Sequence, residues 1–423
     1  QLTKDGYLEA DRGAGTFVAR DLPSAPLTGR TNVHAAPARA LARRGRCIAD
    51  LRGSEVRADR PLTPSVPPRD AFPFDKWSLH TRRFLRDRPT ALVGYSDPQG
   101  EPELRRAVSG YLRRYRGVVC DPGQVIVVPG SQAALDTAAR VLLDPGDTVW
   151  VEDPGYVIGR SALTAAEADV VPIPIDRDGL DVATASARYP ETRMAYVTPA
   201  HQYPTGAVLS RDRRLDLLNW ASKADAWIFE DDYDGEFCYQ AQSPTPLYAI
   251  AEDARVIYAG TLSKVLAPGL RIGFMVVPSD LVDVFAAARS LIDRHMAIPQ
   301  QLIAASFIAG GHLATQVREL RTLYRARWEA VMASADRMCA DILELDAWGA
   351  GLHSLARFRD PGIDDQAAAD QAWRRGLGPQ PLSAYYLDTP RERGLVLGFA
   401  NVETDEADAY IRQLRHAIDA TLQ

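Results

Sequence analysis

A lysine set between two apolar runs is the first residue of this chain that calls for a chemical explanation. In the stretch 255–274, Val256 and Ile257 lead to Thr261, Ser263 and Lys264, then to a Pro-Gly turn, Arg271 and a second apolar run. The pattern predicts a buried strand that delivers a lysine, a turn and a return strand. A lysine among apolar groups is costly without a task or a partner. One task is a Schiff base with an aldehyde cofactor. The Thr261 and Ser263 hydroxyls and the Arg271 guanidinium suit a phosphate. The plainer alternative is a strand-end lysine whose ammonium reaches solvent.

Three other stretches bear on that choice. Residues 230–234 read Glu-Asp-Asp-Tyr-Asp after the apolar run 227–229. Strand-end loops of α/β sheets are where sites sit, although a solvated acidic loop fits as well. Ser131 and Gln132 follow the run 124–128 and a Pro-Gly pair, at a predicted helix start. Free backbone N–H groups there, with the Ser131 hydroxyl, form a phosphate seat; simple N-capping by Ser131 is the local alternative. Tyr156 follows the strand-like run 148–151 and can lie over a flat ring or join the core. A lysine, a carboxylate about thirty residues earlier, an aromatic ring, a phosphate seat and an arginine together specify a pyridoxal phosphate site. The carboxylate keeps the pyridine nitrogen protonated, so that the ring withdraws electrons.

The elements that must hold these residues follow from the pattern. Apolar runs and amphipathic stretches alternate over about 100–275, which predicts a mainly parallel α/β sheet covered on both faces. From about 286 the pattern is mostly helical, with Val317, Leu320, Tyr324 and Trp328 on one helix face and Arg318, Arg321 and Arg325 on a solvated one. The run 394–399 and an acidic helix suggest a small α/β C-terminal domain. The expected division is 1–20, a hairpin; 21–70, a proline-rich linker that becomes an arm on the next domain; 71–285, the large domain; and 286–423, the small domain.

Totals narrow the class. At 423 residues, two or three domains are expected. A net charge of −6 gives no general attraction to nucleic acid or membrane. The four cysteines are scattered, which fits a reduced, cytoplasmic protein. No apolar stretch is long enough to span a bilayer, and no signal-peptide core opens the chain. Lacking an initiating Met, the sequence reads as a fragment of a longer product.

The motifs GTLSKVLAPGLRIG (260–273), EDDYDGEF (230–237), HQYPTG (201–206), YSDPQG (95–100) and GYLRRYRGV (110–118) resemble the fold-type-I aminotransferases. They are more similar still to the aminotransferase-like domain of the MocR subfamily of GntR regulators. GYLEADRGAGTFV (6–18) resembles the wing that closes a GntR-type winged-helix DNA-binding domain, with Arg12 at its tip as a DNA contact. The helix-turn-helix would lie upstream, so that DNA is reached through a domain largely missing from this chain. The resemblance implies a large domain with a mainly parallel seven-stranded sheet and a small α/β domain. It implies pyridoxal 5'-phosphate on Lys264, Asp231 as pyridinium partner and Tyr233 as ring-hydroxyl partner. Ser131, Gln132, Ser263 and Arg271 would hold the phosphate, and Tyr156 would stack on the ring. Tyr95 would reach the neighbouring subunit's phosphate, which implies a homodimer.

Two departures stand out. Tyr203 precedes Pro204 where these aminotransferases usually carry asparagine. Val396 stands where an arginine usually grips the substrate carboxylate, with Arg393 or Arg160 as substitutes. Loss of such a charge-assisted pair costs on the order of 1.5–3 kcal/mol. The favoured expectation is therefore the effector and dimerisation part of a transcription regulator, sensing pyridoxal phosphate and an amine or amino acid. The alternatives are a catalytically active aminotransferase and a sensor of cofactor supply alone.

Overall fold

The computed structural model describes residues 1–11, 13, 15–20, 41–51, 60–239, 243–252, 255–346 and 349–422. The described chain forms two compact units, 1–49 and 50–423. In the first, β1 (Leu8–Asp11) and β2 (Gly15–Val18) pair antiparallel, Leu8 opposite Val18. The expected hairpin is present; Arg12, its expected DNA contact, lies outside the described residues. Within the stretch anticipated as linker, Arg43–Asp50 is a helix with no buried residue.

The second unit is built on a sheet of β3 (Val125–Val128), β4 (Thr148–Asp153), β5 (Asp169–Asp176), β6 (Gly179–Leu180), β7 (Met194–Val197), β8 (Trp227–Asp232), β9 (Val256–Thr261) and β10 (Gly273–Val276). Their order is β3-β10-β9-β8-β7-β4-β5-β6. Strands β9, β8, β7, β4 and β5 run parallel, and β10 is antiparallel to both neighbours. The expected seven strands are joined by an eighth: the two-residue β6 folds back on β5 through Ile175 and Leu180.

The central strands are apolar on both faces because both are covered. Along β3, Val125 and Val127 belong to one apolar cluster and Ile126 and Val128 to another, following the two-residue period of a strand. The helix Ser131–Leu142 packs on the second of these faces. On the other side of the sheet, Trp150 of β4 stacks on Trp220 of the helix Arg211–Ala224 with ring centroids 3.8 Å apart. A separate antiparallel sheet follows: β11 (Leu343–Leu345), β12 (His353–Phe358), β13 (Gln380–Pro381) and β14 (Gly394–Gly398), in the order β11-β12-β14-β13. The helices His312–Cys339 and Ala407–Asp419 share its core. No described helix is long and apolar enough to cross a membrane.

Two sequence-based expectations change. Strand β8 runs on to Asp232, so Glu230, Asp231 and Asp232 are strand residues, and all three are buried with Asp234. The solvated-loop alternative is excluded. Nor are all members of the arginine row on the helix His312–Cys339 solvated: Arg318 and Arg325 are exposed, but Arg321 is half-buried and donates to the Glu236 carbonyl and to Ser243.

Candidate functional site

The carboxyl ends of the parallel strands β4, β7, β8 and β9 converge at one side of the sheet, where α/β folds place their ligands. Beyond β9 the chain turns through Leu262 to Leu266, held by Leu262 N–H to the Ile272 carbonyl (3.0 Å) and Leu266 N–H to Leu262 (2.8 Å). Buried Val265 and Leu266 anchor the turn, and Lys264 beside them lines a cavity. Arg271 adopts φ +52°, the left-handed kink that returns the chain into β10. A Cβ on Gly273 would lie 2.8 Å from the Gly130 Cα, so glycine is needed where β10 meets the turn before Ser131.

A cavity of about 430 Å³ opens there. Eight of the nine residues anticipated from sequence line it: Lys264, Asp231, Tyr233, Ser131, Gln132, Tyr156, Ser263 and Arg271. Tyr95 does not. It is 82 % exposed, beside His295 and under the Arg294 guanidinium. Ser131 makes no capping hydrogen bond, and Gly130 takes the cap position, so the capping alternative is not realised. The Tyr156 ring stands perpendicular to that of Tyr203, with centroids 5.7 Å apart.

Lys264 and Asp231 are both withheld from water, and burial works against the charge on each. Burial lowers the affinity of Lys264 for its proton, opposed by the charges of Asp234 and Asp231. Its Nζ donates to the Ser65 carbonyl at 2.6 Å. Burial pushes the Asp231 carboxyl up to about 7, although Tyr196 donates to its Oδ2 at 3.1 Å and the nearby Ser131 hydroxyl also favours the charged form. Asp231 Oδ1 is buried and has no hydrogen-bond partner among the described residues. An acceptor left so is costly, and a protonated ring nitrogen would satisfy it. By that test the residues present fit a pyridine-type cofactor with a phosphate.

The other acids of β8 are structural. Asp232 takes two hydrogen bonds from Arg116 (2.6 and 2.9 Å) and one from Tyr258 (2.6 Å). Glu230 accepts the N–H groups of Leu247 and Tyr248. Neither substitute for the carboxylate-gripping arginine reaches the cavity. Arg160 donates to the carbonyls of Tyr385 (2.8 Å) and Tyr386 (3.2 Å), and Arg393 stands near Asp364 and Asp365 (3.6 and 3.7 Å). Val396 packs with Leu355, Leu382, Tyr385 and Tyr386, against Val157 and Tyr203.

Several wall residues were not anticipated from sequence. Pro64, Ser65, Val66 and Pro67 close the cavity from the arm. The arm is fixed by N–H donation from Gly378 and Gly398 to the Pro61 and Leu62 carbonyls. The sequence suggested an arm on the next domain without indicating that it would wall the site. Tyr196, on β7, joins the wall as well.

Comparison with known proteins agrees with this geometry. The family profile described as aminotransferase class I and II matches residues 69–338. The probable rhizopine catabolism regulatory protein MocR of Rhizobium meliloti is 38 % identical over 98 % of this chain and 84 % of its own length. The pyridoxine biosynthesis transcriptional regulator PdxR of Corynebacterium glutamicum is 29 % identical over 99 % of this chain and 86 % of its own. Among solved structures, the kynurenine aminotransferase of Pyrococcus horikoshii superposes with a TM-score of 0.80 at 27 % identity, covering 92 % of this chain and 96 % of that one. The fold is thus that of the fold-type-I aminotransferases, and the cofactor is pyridoxal phosphate. The chain belongs to the MocR-type helix-turn-helix transcription regulators, whose larger part is an aminotransferase class I and II domain.

Proposed function

We propose that residues 60–423 are the effector-binding and dimerisation part of the regulator, holding pyridoxal phosphate through Lys264 in the cavity at the carboxyl ends of β8 and β9. The observation that carries this is the pairing, across one cavity, of a buried lysine with a buried carboxylate whose second oxygen is unpartnered. When bound, the cofactor supplies an aldehyde and an electron-withdrawing ring. Asp231 would hold the proton of the ring nitrogen. Tyr233 would serve the ring hydroxyl, and Tyr156 the ring face. Ser131, Gln132, Ser263, Arg271 and the first N–H groups of the helix Ser131–Leu142 would neutralise the phosphate. Residues 71–285 act as the large domain and 286–423 as the small one.

The regulator works as a homodimer, with Tyr95 serving the neighbouring cofactor site. An amine or amino acid acts as a further effector. It shifts DNA affinity to the extent that it binds one state of the dimer more tightly than the other. Regulation rather than amino-acid transamination is supported by the positions of Arg160 and Arg393 and by the apolar setting of Val396. Four free cysteines fit a reducing cytoplasm.

The test uses the full gene product. Lys264→Ala should remove the borohydride-reducible link to pyridoxal phosphate, and with it the change in DNA affinity that the cofactor causes in the unaltered protein. A reducible link that survives the substitution would show that another lysine carries the cofactor. A DNA affinity indifferent to cofactor and amines alike would remove the regulatory reading.

A further inference from the structure

One buried group of side chains, in contact with the cavity residue Tyr233, has no part in the reading above. His201, Asp234 and His353 are 3 %, 1 % and 1 % exposed. His201 Nδ1 lies 3.0 Å from Asp234 Oδ2 and 3.1 Å from the Tyr233 hydroxyl oxygen. That hydroxyl in turn donates to the His201 carbonyl at 3.0 Å. The potential ligating atoms of the three residues lie within 4.8 Å of one another. That is a looser set than the roughly 3.3 Å edges of a tetrahedral zinc site with bonds near 2 Å. His201 Nδ1 is already shared between Asp234 and Tyr233, so the group is better suited to holding a proton than a metal.

We propose that His201, fixed by Asp234, is a positioning residue for Tyr233, setting the direction in which the phenol proton points. The inference rests on the reading of Tyr233 as partner of the cofactor's ring oxygen. An ionised carboxylate accepts hydrogen bonds and donates none, so the nitrogen facing Asp234 carries the proton. The same N–H faces the phenol oxygen, which accepts from it. Tyr233 must then direct its own proton away from that nitrogen. The acceptors left are the His201 carbonyl and whatever stands in the cavity. Without Asp234 the imidazole is free to carry its proton on the other nitrogen, and Nδ1 becomes an acceptor competing for the Tyr233 proton.

Packing supports a fixed ring. Gly351 has φ +62°, and a Cβ there would lie 2.1 Å from His201 Cε1 and 2.5 Å from Asp234 Oδ2. The chain thus spares a side chain where the histidine and the carboxylate meet. The His353 ring packs against that of His201, with centroids 4.8 Å apart. Burial first, then the neighbouring His201 and Lys264, hold His353 neutral, so it adds no competing cation. The remaining titratable groups around Tyr233 are Asp234, Tyr203, Asp231 and Glu152.

The test is a pH titration of the visible absorption band of the protein loaded with pyridoxal phosphate. A phenol donating to the ring oxygen stabilises its anionic form and weakens its hold on the neighbouring proton, which keeps the titration midpoint low. Tyr233→Phe should raise the midpoint by about one unit, a tenfold change in proton affinity. His201→Leu should raise it by a comparable amount, and should add nothing when combined with Tyr233→Phe. His201→Asn keeps an N–H near the place of Nδ1 and should titrate close to the unaltered protein. Asp234→Asn should also raise the midpoint, and it keeps the test open if His201→Leu does not fold. Variants that load cofactor and melt normally, yet titrate as wild type at His201→Leu and Asp234→Asn, overturn the relay alone. A silent Tyr233→Phe overturns it together with the assignment of Tyr233.

Discussion

Asp231 is a carboxyl placed where it is poorly off until something arrives. Burial raises it to about 7, whereas in the unfolded chain it titrates near 3.8. Between those values the folded, unloaded protein holds a proton that the unfolded chain has released. Its stability from this group is therefore full below about pH 4, falls as pH rises through 7, and is flat beyond. Each pKa unit is worth about 1.4 kcal/mol, so removing the charge should be felt. Asp231→Asn should make the unloaded protein melt higher than the unaltered one at pH 8, by a margin that shrinks toward pH 5. The same substitution should weaken pyridoxal phosphate binding at least tenfold, because the ring nitrogen loses its anionic partner. Melting curves at both pH values, with and without cofactor, check the two effects together. An unloaded variant that melts lower at pH 8 would mean that Asp231 is already satisfied without a ligand.

Elements decide which of several acids becomes Asp231, and here the sequence was only partly legible. The lysine turn could be read because Pro-Gly, a hydroxyl pair and an apolar run mark it locally. The acidic run could not be apportioned, because a strand's two-residue alternation assigns faces only once its end is known. Strand β8 extends to Asp232, which turns Asp231 and Asp232 to opposite sides. One meets the cavity; the other meets Arg116, 116 positions earlier, at the end of the helix Pro102–Tyr115. The arm itself was legible, but not its partners: Gly378 and Gly398 lie more than 300 residues away, and prolines announce irregular chain without naming the residues it packs on. The clip from Arg116 to Asp232 is the part to test. Both side chains are essentially without solvent, at 2 % and 1 % exposure. Arg116→Met should leave a buried charge unpaired and cost about 3–5 kcal/mol, loosening the end of β8 and lowering cofactor affinity with it. Arg116→Met combined with Asp232→Asn should recover part of the loss, since the stranded charge is gone. Denaturant titrations of both variants give the comparison, and equal losses would show that the ion pair is not what binds the helix to the strand.

For the whole molecule the open matter is whether one chain makes a complete site. Tyr95 is the only anticipated site residue that the cavity does not include, and it is 82 % exposed beside His295. An exposed tyrosine in a chain of a dimer-forming fold is explained if it serves a second copy, and subunit mixing decides the point. Tyr95→Ala alone should lower the affinity for pyridoxal phosphate by about tenfold, the worth of one hydrogen bond to a charged group. Lys264→Ala alone should abolish the reducible link. In a heterodimer of the two variants, one site then has its own Lys264 and the partner subunit's Tyr95, both intact, while the other site lacks both. The mixed dimer should bind one equivalent of cofactor with the affinity of the unaltered protein, reducible by borohydride. If Tyr95 instead acts on its own subunit's site, every site in the mixed dimer is damaged and no such equivalent is found. Differently tagged chains purified through both tags, titrated with pyridoxal phosphate and reduced, separate the two outcomes by stoichiometry.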